Sequence, residues 1–206
     1  MNRSCGSLAA TALLLIASRV AAQDAEEHYT SSATYSLAFP VGDTRQYVSH
    51  LGWAGFGWEG MWLLRPNTRG GFSLAVQDFA KHSSGTTNYS FGSATGEQFR
   101  DLLSFSAMAT SRWYLRGVAG QGPYLGMGAG TIYTQQSYQL GVLPQLVRTG
   151  WHLGVAPEAG IAIPVYAGLH AIVSAKYFAP LSSGRYIGGG SRSFQFVALN
   201  IGLGEH

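Results

Sequence analysis

Gly150 to Val165 reads GWHLGVAPEAGIAIPV, and its apolar residues fall at every second position: Trp151, Leu153, Val155, Pro157, Ala159, Ile161 and Ile163. The opposite parity holds His152, Gly154, Ala156, Glu158 and Gly160. A period of two is the signature of a strand, and this run is far longer than the ordinary globular strand of roughly 5 to 6 residues. One face suits hydrocarbon, and the other carries small and ionisable groups. A soluble barrel keeps its apolar side within. A strand that turns its apolar side outward and its polar groups inward suits a transmembrane β-barrel.

The composition around this strand agrees. Charged residues make up 11% of the chain, aromatics 13%, and there are 28 glycines, whereas soluble domains carry about 25% charged residues. The N-terminus has Arg3, an apolar run from Leu8 to Ile16, and Val20-Ala21-Ala22 before Gln23. These features predict a cleaved signal peptide over 1–22 and a single barrel domain over 23–206. The apolar run is too short for a membrane-spanning helix, which needs roughly 20 residues. Cys5 precedes that run, so the mature chain has no cysteine for a disulfide or a thiolate metal site.

The 13 basic residues stand against 10 acidic ones, and Arg3 and Arg19 leave with the signal. A near-neutral mature chain without a clustered basic patch excludes nucleic acid as a partner. The six histidines form no i, i+2 or i, i+4 pair, so neither a metal nor any other cofactor is expected.

Alternation between breaker clusters predicts eight strands: Tyr29 to Phe39, Trp53 to Leu64, Gly71 to Phe79, Phe99 to Leu115, Gly122 to Gln135, Val147 to Val165, Leu169 to Pro180, and Ser191 to Leu203. The links between them alternate in length. Those at 65–70, 116–121 and 166–168 are short; those at 40–52, 80–98, 136–146 and 181–190 are longer and polar or glycine-rich. Barrels of the outer membrane put short turns in the periplasm and longer loops outside. The expected topology therefore has a periplasmic N-terminus and extracellular long loops, of which Ala80 to Gln98 is the leading candidate for a binding element.

Parity assigns the faces. Leu103, Phe105, Ala107, Ala109, Trp113 and Leu115 point to lipid, while Ser104, Ser106, Met108, Thr110 and Arg112 point inward. Likewise Phe56, Trp58, Trp62 and Leu64 are outward with Glu59 inward, and Ala171, Val173, Ala175 and Tyr177 outward with His170, Ile172, Ser174 and Lys176 inward. Outward aromatics gather near strand ends: Trp62 and Trp113 toward the periplasmic rim, and Phe39, Tyr133, Trp151 and Tyr177 toward the outer rim, as an aromatic girdle. Two residues resist the pattern. Asp78 has outward parity and must sit at the rim, and Pro157 cannot donate to a ladder, so a bulge or local break is expected there.

With these features in place the chain resembles the small outer-membrane β-barrel families of the OmpA, OmpX and OmpW type. Tyr35 to Thr44, YSLAFPVGDT, followed by Trp53 to Leu64, WAGFGWEGMWLL, looks like the opening strand, first loop and second strand of generic outer membrane protein β-barrel domains. The resemblance implies an all-β, eight-stranded antiparallel up-and-down barrel in a bacterial outer membrane, monomeric, with outer-membrane lipid, the assembly machinery and an extracellular ligand as partners. The final segment, Ile201 to His206, departs from the terminal aromatic that such machinery reads.

Chemistry, if any, belongs to the inward ionisable groups Glu59, Arg112, His152, Glu158, His170 and Lys176. Counting back through the turn after Val165 places Glu158 beside Lys176, and Glu59 and Arg112 are candidates to join them. His152 and Glu158 are roughly 20 Å apart along one strand, and His170 and Ser174 about 13 Å. Neither spacing allows an acid–base pair or a nucleophile with its base. Gly126, Gly128 and Gly130 alternate without a nucleotide-binding spacing, and make room for bulky lumen side chains instead. The reading is a non-enzymatic barrel, structural or surface-binding through its loops, with a lumen filled largely by polar side chains. A narrow channel for small solutes or protons, and a lipid-modifying enzyme, stand as alternatives. A soluble lipocalin-like carrier is disfavoured by the charges on the inward face.

Overall fold

The computed structural model describes residues 29–89, 92–115, 119–141, 144–181, 184–185 and 191–205. The signal peptide read over 1–22 lies outside the described residues. In chain order the elements are β1 (Tyr29–Pro40), α1 (Gly42–Tyr47), β2 (Gly52–Arg65), β3 (Thr68–Tyr89), β4 (Gly92–Tyr114), β5 (Gly122–Leu140), β6 (Leu146–Tyr166), β7 (Leu169–Pro180), β8 (Gly184–Arg185), β9 (Ser191–Arg192) and β10 (Phe196–Glu205). Strands β1 to β7 and β10 form one closed antiparallel ring in which each pairs with its neighbour in that sequence and β10 closes on β1. The short strands β8 and β9 pair only with each other.

The register fixes the shape of the ring. From Leu169 on β7 the pairings run through Glu205, Ser31, Gly60, Phe72, Ala109, Ala129 and Val155 and return to β7 at Ala179. One circuit thus climbs ten residues of β7, from Leu169 to Ala179. With eight strands, that stagger corresponds to a strand tilt of roughly 40° and a backbone radius of about 8 Å. At that tilt the outward residues of β4 from Trp113 to Leu103 rise about 25 Å along the axis, the height of the apolar band of outer-membrane barrels.

The outer face is apolar, with Phe56, Trp62, Leu74, Leu103, Leu125, Leu153, Ile163, Val173, Ile201 and Leu203 all exposed. The inner parity is buried, and it holds Ser36, Glu59, Ser73, Gln77, Ser104, Ser106, Arg112, Glu158, Ser174, Lys176 and Asn200. On the outer face Trp58 donates its indole N–H to Ser31 Oγ at 3.1 Å, so its one polar atom is satisfied beside apolar neighbours. The β6–β7 turn is tight because Gly168 adopts φ +75°, a conformation open to glycine at little cost.

Three sequence expectations change. The stretch Ala80 to Gln98, read as a loop, is strand on both arms: β3 and β4 pair residue for residue from Thr68↔Trp113 out to Tyr89↔Gly92. Its Ser, Thr, Gly and Asn residues carry no apolar–polar contrast between the two faces, so period two disappears from the composition where the backbone ladder continues. The 40–52 link contains the helix α1. The last barrel strand is Phe196–Glu205, not Ser191 to Leu203, because Ser191 and Arg192 turn aside to pair with β8.

Pro157 interrupts pairing to β7 between Val155↔Ala179 and Glu158↔Lys176, and the register is the same on both sides. The ladder to β5 is continuous through Met127↔Pro157. The interruption is a local break without a bulge, as expected when a missing N–H faces one neighbour only.

Candidate functional site

Four strands each deliver one long charged side chain to the middle of the lumen: Glu59 from β2, Arg112 from β4, Glu158 from β6 and Lys176 from β7. Parity turns them inward, and small residues make the space. A Cβ on Gly126 would lie 3.3 Å from Glu158 Cβ and 3.4 Å from Arg112 Cγ, so the glycine on β5 accommodates both.

The four groups alternate in sign and bond all the way round. Arg112 Nη2 donates to Glu59 Oε2 and, at 2.8 Å, to Glu158 Oε1. Lys176 Nζ donates to Glu59 Oε1 at 2.9 Å and stands 3.5 Å from Glu158 Oε2. Tyr124 on β5 donates its hydroxyl to Glu158 Oε1 at 2.7 Å, and the Arg112 guanidinium lies 4.6 Å from the centre of the same ring. Strands β2 and β6 stand opposite each other in the ring, so this neutral quartet bridges the full lumen. Each charge is at most 6% exposed. Buried charges are costly unless paired and hydrogen-bonded on every side, and here each carboxylate meets both cations.

Beside the quartet a polar relay crosses three strands. Ser36 Oγ donates to Asn200 Oδ1 at 2.5 Å, and Asn200 Nδ2 donates to Ser174 Oγ at 3.1 Å. Ser36 and Asn200, with Ser73, Gln77, Ser104, Ser106, Glu59 and Lys176, line a chamber that leaves about 20 Å³ for the centre of a water molecule. A water needs roughly 10–15 Å³ of such space. The chamber therefore suits one water and no larger solute.

Above the chamber the chemistry changes. Phe79, Leu102, Ile132, Phe178, Phe194 and Phe196 are buried together with Tyr47 and Val48 of the first loop. Phe196 stacks on Phe178 at 4.5 Å and meets Phe79 edge-on at 5.5 Å. The helix α1 lies over this layer. Tyr47 donates its hydroxyl to Ser137 O at 2.9 Å, Thr44 Oγ1 accepts from Gln195 N at 2.7 Å, and Asp43 Oδ2 accepts from Ser193 N at 3.1 Å.

This outer layer corrects the expectation of a lumen filled largely by polar groups: its lower part is polar and its outer part is aromatic. Phe178 shares the parity of Lys176, and Phe196 that of Asn200, so the inward alternation already contained the layer.

The remaining candidates fall elsewhere. His170 is buried on the inward face, opposite Pro164 and Gly204 near the β6–β7 turn, at the same end as Arg69, which donates to Thr30 Oγ1 at 2.7 Å. It is not part of the quartet. His152 lies toward the outer end, 3.3 Å from Thr134 Oγ1. Ser174 accepts from Asn200.

Of the girdle residues, Trp62 packs with Tyr29 at 5.2 Å and Phe72 at 5.8 Å, and Trp151 packs with Tyr133 at 5.1 Å. Trp113 is exposed opposite Leu125. Tyr177 stands apart from them, paired with Val197 beside the break at Pro157.

No protein-family model and no curated protein matches the sequence. Solved structures do. Ail, the attachment invasion locus protein of Yersinia pestis, superposes with a TM-score of 0.52 at 11% identity, over 87% of this chain and 98% of that one. Neisserial surface protein A gives 0.49 at 13% identity, over 86% and 96%. The N-terminal β-barrel domain of Pseudomonas aeruginosa OprF gives 0.43 at 10% identity, over 85% and 96%. At such identity the likeness to Ail speaks for the fold alone.

Proposed function

We propose that this chain is a non-enzymatic barrel of the bacterial outer membrane, with a periplasmic N-terminus, that serves a structural or surface-binding role through its extracellular end. The exposed apolar outer face supports the location. The orientation is supported by the tight turn at Ala167–Gly168 at one end and by the long β3–β4 hairpin and α1 at the other.

The observation that carries the role is double closure of the lumen, by the charge quartet and by the aromatic layer under α1. A tube blocked twice, with a chamber between the two blocks that suits one water, offers no path to a solute. Function then falls to the surface, and a fold does not by itself choose which surface role. Ail, an attachment protein by its name, is a barrel of similar fold, which supports such a role.

The test is the purified barrel in planar bilayers. Silence at all voltages below bilayer breakdown is expected, and steady single-channel steps overturn the reading. The polar chamber favours the narrow channel as second reading, which predicts a conductance altered by Glu158→Gln or Lys176→Met. Membrane residence is tested separately by fractionation with heat-modifiable gel mobility, where recovery in the soluble fraction without a heat shift removes the outer-membrane assignment.

A further inference from the structure

Pro157 leaves a gap in the hydrogen bonding of the barrel wall. Along the β6–β7 seam Leu181 N donates to Leu153 O at 2.7 Å, and the register carries that hydrogen-bonded phase, two residues at a time, through Val155↔Ala179 to position 157 opposite Tyr177. There the bond to the Tyr177 carbonyl has to come from the N–H of residue 157, and proline has none. Successive residues of a strand turn their backbone groups to alternate neighbours. The Tyr177 carbonyl therefore points at β6, and β10 does not serve it.

Tyr177 also brings an unused donor to the same place. Its side chain takes the outward parity of β7 and is half-exposed, and its hydroxyl makes no hydrogen bond among the described residues. Elsewhere on this face the indole of Trp58 donates to Ser31 and the hydroxyl of Tyr35 to Trp53 O. Position 157 lies six residues along β6 from Trp151 of the outer girdle, roughly 15 Å along the axis at the tilt of the ring. Donor and acceptor thus both sit within the apolar band, where no water is at hand to satisfy them.

We propose that a second copy of this chain docks on this wall in the plane of the membrane, in place of the monomer expected from the sequence. Two barrels inserted in the same sense carry Tyr177 at the same depth. A two-fold axis along the membrane normal then sets the hydroxyl of each against the carbonyl of the other, a self-complementary contact. Packed sheets stand about 10 Å apart, a gap that a tyrosine side chain crosses. The outward neighbours are short, with Ala175 and Ala179 on β7 and Pro157 and Ala159 on β6, so the two walls can approach closely. A hydrocarbon chain covers the same wall but offers neither a donor to the carbonyl nor an acceptor to the hydroxyl. The pairing rests on the outer face being lipid-facing, and it holds whichever end of the barrel is extracellular.

The test mixes donor-labelled and acceptor-labelled copies of the full chain, refolded into phospholipid vesicles, and reads energy transfer as the protein is diluted in lipid. Transfer above that of randomly placed barrels is expected, declining as the lipid share rises. Tyr177→Phe removes the donor, and Pro157→Ala returns an N–H to the Tyr177 carbonyl. Each is expected to weaken association roughly ten-fold. They part in stability at high lipid dilution, where Pro157→Ala raises the urea midpoint and Tyr177→Phe leaves it unchanged. Leu74→Ala, exposed on β3 across the ring, leaves association as it was. Heat-modifiable mobility kept by each variant shows that the barrel is closed. Random transfer throughout, undiminished association in either Tyr177→Phe or Pro157→Ala, an equal loss in Leu74→Ala, or a Pro157→Ala barrel no more stable than its parent each overturns the proposal. A barrel with a heat shift and only random transfer keeps the membrane assignment and loses the pair, whereas recovery in the soluble fraction without a heat shift removes both.

Discussion

Four charges meet at mid-height of the lumen and a cluster of aromatic rings packs nearer the α1 end, and the two groups respond to damage differently. The quartet depends on every member, since a charge left without its partner keeps its full desolvation cost. The aromatic layer is non-directional and shares its contacts among several rings, so the loss of one leaves a cavity that neighbours partly fill.

The largest effect is expected at the quartet. Glu158→Ala strips partners from Arg112, Lys176 and Tyr124 together, and a loss of about 3–5 kcal/mol follows from breaking a buried pair, read as a lowered urea midpoint of the refolded barrel. Replacing Glu158 and Lys176 together by Gln and Met should cost less than the sum of the two single changes. Additive costs would show that the two side chains are not coupled.

Phe196→Ala comes next, at about 3 kcal/mol, because its ring contacts Phe79, Phe178 and Phe194. If its loss equalled or exceeded that of Glu158→Ala, the contrast between directional and shared contacts would fail. Gly126→Val pushes a side chain against Glu158 and Arg112 and is expected to cost about 1–3 kcal/mol through overpacking. It probes whether the quartet tolerates displacement, and an unchanged thermal midpoint would mean that it does. The smallest effect is Tyr47→Phe, which removes the bond to Ser137 O and about 1 kcal/mol. Faster proteolysis within 41–51, with an unchanged barrel, is the expected sign that α1 is docked through this bond.

The parts of this structure that could be read from the sequence are those governed by local rules. Alternation in GWHLGVAPEAGIAIPV fixed a face for Glu158, and counting through a two-residue turn set it against Lys176. Inward Glu59 and Arg112 were equally visible, but their meeting with Glu158 across the ring depended on a stagger that no single hairpin encodes. The β3–β4 extension was missed because alternation reports a boundary between two solvents. Above the apolar band both faces meet water, and the hydrogen-bonded ladder leaves no compositional trace. The helix α1 escaped for a related reason: six residues held by Gln195, Ser193 and Ser137 carry little intrinsic helical preference of their own.

By itself the sequence determined the strand period, the outward apolar face, the inward charges and the up-and-down order, since each follows from side-chain alternation and short links between neighbours in the chain. Closure determined the rest. The ten-residue circuit from Leu169 to Ala179 brings β2 and β6 to opposite walls of a tube about 8 Å in radius, a distance that Arg112 and Lys176 span and that aromatic rings fill. Those contacts join residues far apart in sequence, so they come into being only when β10 meets β1.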